Sequence, residues 1–104
     1  MEVKQIIKEF REALKNIYNE NLVKIILYGS YARGDFNSDS DIDLLIVLEK
    51  LESPGKEIDR MIEVISEINL KYNVLISVFP VSIFEYNSLK SPLLLNVRRE
   101  GIEA

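Results

Sequence analysis

The chain has 104 residues, 47% of them apolar and 29% charged, with 13 basic against 17 acidic side chains for a formal net charge of −4. That length buries one core and leaves no room for a second substrate-binding domain, so a single domain over residues 1–104 is expected, of the ordinary globular class rather than a disordered one. The basic residues form no stripe, which argues against unaided binding to long nucleic acid. The absence of cysteine and histidine excludes disulfides, imidazole bases and the usual zinc sites, and leaves any metal to hard oxygen ligands suited to magnesium, manganese or calcium.

Taken in chain order, Met1-Glu2-Val3-Lys4-Gln5 lacks the basic start and apolar run of a signal peptide. No stretch is long enough to span a bilayer, so no membrane contact and a cytoplasmic location are expected. Val3, Ile6, Ile7, Phe10, Ala13, Leu14, Ile17 and Tyr18 recur at steps of three and four, predicting an amphipathic helix over 2–19 that Asn21 closes. Val23 to Tyr28 is a β-branched run suited to a buried strand that stops at Gly29. Residues 29–40 are rich in Gly, Ser, Asp and Asn, a loop in which Ser30 could cap one short helical turn. Asp41 to Leu48 begins in alternation and becomes continuously apolar, as a central strand covered on both faces does.

Ser53-Pro54-Gly55 breaks the chain before a second amphipathic helix, over about 55–71, carrying Ile58, Met61, Ile62, Ile65 and Ile68. Val74 to Val81 reads as a third strand, with Pro80 near its end favouring a terminus or an edge position because proline cannot donate to the ladder. Ser82 could cap a short turn through Glu85, and Phe84 and Tyr86 are expected in core or interface packing. Ser91-Pro92 reads as an N-cap followed by proline at the first position of a last helix, about 91–100, with Gly101 just past its end and Leu93, Leu94 and Val97 as its contacts. The resulting class is α/β (α+β), a small mixed sheet packed with helices. The apolar surplus in so small a domain points to a homodimer or heteromer.

The chemistry concentrates between Gly29 and Leu44. Residues i and i+2 on a strand share a face, so Asp41 and Asp43 would stand side by side at the start of a buried strand. Two anions that close repel and call for a divalent cation unless one takes up a proton. Glycine at position 29 permits close backbone approach, and Ser30 with the following N–H groups can face an anion. A triphosphate held there would have magnesium bridging its oxygens to Asp41 and Asp43. Ser40, beside Asp41, joins Gly29, Ser30 and Arg33 as a candidate nucleotide contact. Arg33 could bond phosphate, or pair with Asp35 or Asp39 and pin the loop. An Asp-x-Asp pair or a Gly-Ser turn alone carries little weight; their combination, ten residues apart between two apolar strands, carries much more.

This run resembles the Gly-Ser-x10-Asp-x-Asp signature of the polymerase-beta-like nucleotidyltransferase superfamily, and specifically its short stand-alone members, the minimal nucleotidyltransferases. The resemblance covers most of the chain. It implies a Gly-Ser loop holding triphosphate, magnesium on the paired aspartates as metal ligands and catalytic groups, and transfer of a nucleoside monophosphate, AMP from Mg-ATP, to a hydroxyl of a protein partner with release of pyrophosphate. It also implies a HEPN-domain partner in a toxin–antitoxin pair. One departure stands out. The superfamily usually draws a third carboxylate from the next strand, but here that strand is Asn73-Val74-Leu75-Ile76-Ser77-Val78-Phe79. Ser77 is the polar residue best placed for that position, and a neutral hydroxyl is a poor base and a weak magnesium ligand. A nucleotide-binding module that neutralises its partner by contact is therefore the competing expectation.

Overall fold

β2 is the spine of the molecule: six of its residues, Ile42, Leu44, Leu45, Ile46, Val47 and Leu48, are fully shielded from solvent. In the computed structural model, which describes residues 3–88 and 91–104, the order is α1 (Val3–Tyr18), a 3-10 turn (Asn19–Asn21), β1 (Leu22–Tyr28), α2 (Ser30–Arg33), β2 (Ile42–Leu48), α3 (Pro54–Tyr72), β3 (Ile76–Ser82), α4 (Ile83–Ser88), α5 (Pro92–Glu100) and β4 (Ile102–Glu103). The sheet runs β3-β2-β1-β4. β1 is antiparallel to both β2 and β4, while β2 and β3 are parallel. The mixed α/β class is as expected.

Strand alternation divides the core in two. Ile42, Leu44, Ile46 and Leu48 face Ile6, Ile7, Phe10 and Leu14 of α1 and Met61, Ile65 and Ile68 of α3. Leu45 and Val47 point the opposite way, toward Leu94 and Val97 of α5. Burial of each such side chain contributes about 1.5–3 kcal/mol, so β2, apolar on both faces, is the most firmly anchored element. The polar mouth of this strand is what the rest of the fold positions.

Several boundaries differ from expectation for local reasons. The first helix was expected over 2–19; residue 2 lies outside the described residues, and the helix gives way at Tyr18 to the 3-10 turn. Asn21 does not close the helix but ties this turn to the chain after β2, its side chain exchanging hydrogen bonds with the Lys50 backbone at 2.8 and 2.9 Å. The second strand begins at Ile42 rather than Asp41. α3 reaches one residue further at each end than expected, because Pro54 fills its first position behind the Ser53 cap and Asn73, with φ +52, terminates it. The third strand begins at Ile76, not Val74, whose N–H instead bonds the Asn69 carbonyl at 3.1 Å. Pro80 lies in β3, at the sheet's edge, as expected.

After β3 the expected short turn is a helix, α4. Glu85 N–H donates to Ser82 Oγ at 3.0 Å and Ser82 N–H to Glu85 Oε1 at 3.2 Å, a reciprocal capping box. Phe84, expected in core or interface packing, is 73% exposed and so lies outside the core. Tyr86 does pack, beneath the Lys24 ammonium, 4.8 Å from its ring centre. Gly101 follows α5 with an ordinary φ of −69. Its need is spatial, since a Cβ would collide with the Val97 carbonyl and Ile26 Cγ2. That close approach lets β4 turn back beside β1, an element too short to show in the sequence pattern.

Candidate active site

β1 ends where its pairing with β2 ends, with Tyr28 opposite Asp43. The next residue, Gly29, takes φ +76 and ψ −154, a conformation that strains any residue with a side chain. A second constraint coincides with it. A Cβ on Gly29 would overlap Asp43 Oδ2 and lie 3.3 Å from Asp43 Cγ. The positive φ requires the glycine, and the Asp43 carboxylate sits in the space a side chain would take, so the Gly-Ser turn and Asp43 lie side by side. The Gly29 carbonyl accepts the N–H groups of Ala32 and Arg33, both at 3.1 Å, which folds Ser30–Arg33 into α2.

The two aspartates differ in setting. Asp41 is exposed just before β2, whereas Asp43, on the strand, is half-buried. Burial raises the Asp43 carboxyl above the usual carboxylate range, the Asp41 charge raises it further, and the Arg33 charge opposes both. A carboxyl raised in this way is one whose ionised form the surroundings fail to stabilise. A divalent cation would supply the missing charge, and two hard oxygen donors on one mouth suit magnesium. Tyr28, not singled out from the sequence, belongs here too: its phenol is raised by burial and then by the Asp43 charge. Only the strand register brings it there.

The rest of the loop is internally tied. Arg33 pairs with Asp35 at 3.1 Å, one of the two pairings open from sequence, and with Glu100 of α5 at 3.2 Å, a partner with no sequence signal. It bridges α2 to α5 while its charge still acts on Asp43. Ser40 Oγ accepts the Asn37 N–H at 2.9 Å, and Asp39 N–H donates to Asn37 Oδ1 at 2.8 Å. The Ser40 hydroxyl thus shapes the turn that delivers Asp41. Tyr31 and Phe36 stack at 4.3 Å between centroids. Gly29, Ser30, Asp41 and Asp43 are brought together, Arg33 stands within electrostatic reach, and Ser40 supports the loop. A separate cavity of about 580 Å³ opens among α1, Tyr31, Phe36 and β4 and is lined by none of the six candidate residues.

Known proteins resemble this chain in sequence and in fold. The family described as "Nucleotidyltransferase domain" matches residues 7–100. A Methanocaldococcus jannaschii protein named "Putative protein adenylyltransferase" is 37% identical over 103 residues, covering 99% of each chain. A second protein of that name and organism is 44% identical over 77 residues, covering 74% of this chain and 71% of its own. Among solved structures, the crystal structure of a toxin-antitoxin with AMP-PNP superposes with a TM-score of 0.65 at 18% identity, over 99% of this chain and 72% of that one. A structure described as a "putative minimal nucleotidyltransferase" gives 0.61 at 24% identity, over 98% and 95%. These structural likenesses bear out the polymerase-beta-like nucleotidyltransferase fold. No helix among the described residues is long and apolar enough to cross a membrane.

Proposed function

The chain belongs to the nucleotidyltransferase domain family, and on that premise we propose that it transfers AMP from Mg-ATP to a hydroxyl of a protein partner. The observation that carries this reading is the contact between the Gly29 turn and Asp43, which sets a side-chain-free stretch of backbone beside a carboxylate whose charge is under-compensated, with Asp41 two residues away. Asp41 and Asp43 would hold the magnesium, Gly29 and Ser30 would receive the triphosphate, and Arg33 would add positive charge at the same mouth. Held there, a divalent ion would supply charge neutralisation for the phosphates and the departing group. The acceptor oxygen bonds to the α-phosphorus, the bond from that phosphorus to the bridging oxygen breaks, and pyrophosphate leaves with the electron pair while the hydroxyl proton passes to a base or to water.

Two kinds of likeness support a protein acceptor: the relatives named as protein adenylyltransferases and the toxin-antitoxin structures that share the fold. The toxin-antitoxin likeness supports an antitoxin role, and from the resemblance of the motif alone the partner to be restrained is a HEPN-domain protein. The test is to mix the purified chain with that partner and ATP labelled in its α-phosphate. Label should pass to the partner with magnesium present and vanish with Asp43→Asn. Failure to label across divalent metals would remove the proposal.

A second reading, neutralisation by contact alone, is favoured by one observation: β3 carries no acid. If the Asp41→Asn, Asp43→Asn double variant still neutralises the partner, binding and not transfer is the function.

A further inference from the structure

Asp43 has one lateral neighbour on each side in the sheet, Tyr28 on β1 and Ser77 on β3. Adjacent strands in register present directly opposite residues on the same face, so Ser77 stands where a third acid from β3 would stand. It is exposed. Its neighbours on that face, Leu75 and Phe79, are apolar and 55% and 43% exposed, while Ile76 is buried in the core of the opposite face and Val78 packs against that core. No register shift of β3 within this sheet would supply a carboxylate. Of the other acids near the mouth, Asp35 and Glu100 both hold Arg33, while Asp39 lies exposed on the loop before β2. Among the described residues no three Asp, Glu, His or Cys side chains converge on one point.

We infer that this chain binds a single divalent ion on Asp41 and Asp43, and that Ser77 marks the place where the ligand for a second ion is missing. Two-ion sites for displacement at phosphorus clamp both the attacking and the leaving oxygen with ions about 3.5–4 Å apart. Asp41 and Asp43 provide two negative charges, enough to balance one such ion. A serine hydroxyl, neutral and weakly basic, neither adds charge for a second ion nor takes the acceptor proton at neutral pH. The activation of the acceptor hydroxyl then falls to the acceptor's own side or to solvent, and no acid of this chain takes part. The inference rests on the proposed use of Asp41 and Asp43 as metal ligands.

The experiment counts ions directly, by manganese anomalous scattering from crystals grown with Mn2+ and α,β-methylene-ATP, which cannot release pyrophosphate. One manganese per chain is expected at Asp41 and Asp43. In Ser77→Asp a second manganese should join it, about 3.5–4 Å away, while Ser77→Asn, of similar shape but uncharged, should keep one. The position is exposed, so both variants should melt close to the wild-type temperature, which a thermal scan checks. Two ions in the wild-type chain overturn the inference and leave the transferase reading standing. One ion in both wild type and Ser77→Asp, or two in Ser77→Asn, also overturns it. No ion at the aspartates in any crystal removes the reading beneath it.

Discussion

Glu57 and Asp43 are both drawn back from solvent, and their surroundings differ. Glu57, on α3, is 1% exposed yet fully partnered: Tyr18 OH donates to it at 2.9 Å, Arg60 pairs with it at 2.9 Å, and the Glu52 N–H donates at 3.1 Å. Asp43, on β2, is only half-buried, and its charged neighbours are another acid and an arginine held by two other carboxylates. A buried charge with a full set of donors locks elements together; one left short of donors is poised to take a ligand. The fold thus uses one acid to fasten α1 to α3 and keeps the other open.

The largest expected effect comes from removing the open acid. Asp43→Asn should lower AMP transfer by at least about 10²–10³-fold, the usual loss when one preorganised electrostatic group is deleted, without lowering Tm, because the substitution relieves burial of a charge and repulsion from Asp41. Labelled transfer and a thermal melt on the same preparation check both halves. Next is Gly29→Ala. It should destabilise the chain by about 1–3 kcal/mol through forced positive φ and push Asp43 aside, so urea unfolding and the magnesium-dependent thermal shift with ATP should fall together.

Glu57→Gln is the mirror test, since it keeps shape and removes charge. Leaving its donors imperfectly paired should cost about 1–3 kcal/mol in denaturant unfolding, while the variant still gains the thermal shift from magnesium and ATP. An Asp43→Asn that melts as low as Glu57→Gln would break the contrast between the two acids.

The smallest effect is expected at Glu9, a clasp between α1 and α3 near the surface. The Lys71 ammonium at 2.8 Å and the Tyr72 hydroxyl hold its carboxyl below the usual range. Because its folded value is depressed, its contribution is present above the ordinary carboxylate range and is lost as pH falls through that depressed value. Glu9→Gln should therefore lower Tm slightly at neutral pH and not at all in strong acid, as thermal melts at the two pH values would show.

Much of the fold was legible because the deciding interactions are periodic or close in sequence. The step of three and four in α1 and α3, the apolar run of β2 and the Ser-Pro starts of α3 and α5 each depend on residues within a few positions of one another. The candidate site was legible for a further reason: Gly29-Ser30 and Asp41-x-Asp43 lie within one strand–loop–strand unit, so their order along the chain nearly fixes their meeting in space. The exclusion of Phe84 from the core and the short β4 were not legible, since neither breaks nor makes a pattern long enough to read.

By itself the sequence determined the chemistry available, oxygen ligands alone in a chain without histidine or cysteine, and the elements that carry them. Tertiary structure decided who meets whom. Arg33 finds Glu100 across 67 positions and Tyr18 finds Glu57 across 39, and the space denied to a side chain at Gly29 is set by Asp43 on the neighbouring strand. Such partners are chosen by the packing of helices on both faces of the sheet, which no local pattern records, because the entropy of bringing distant segments together is offset only when the whole core closes.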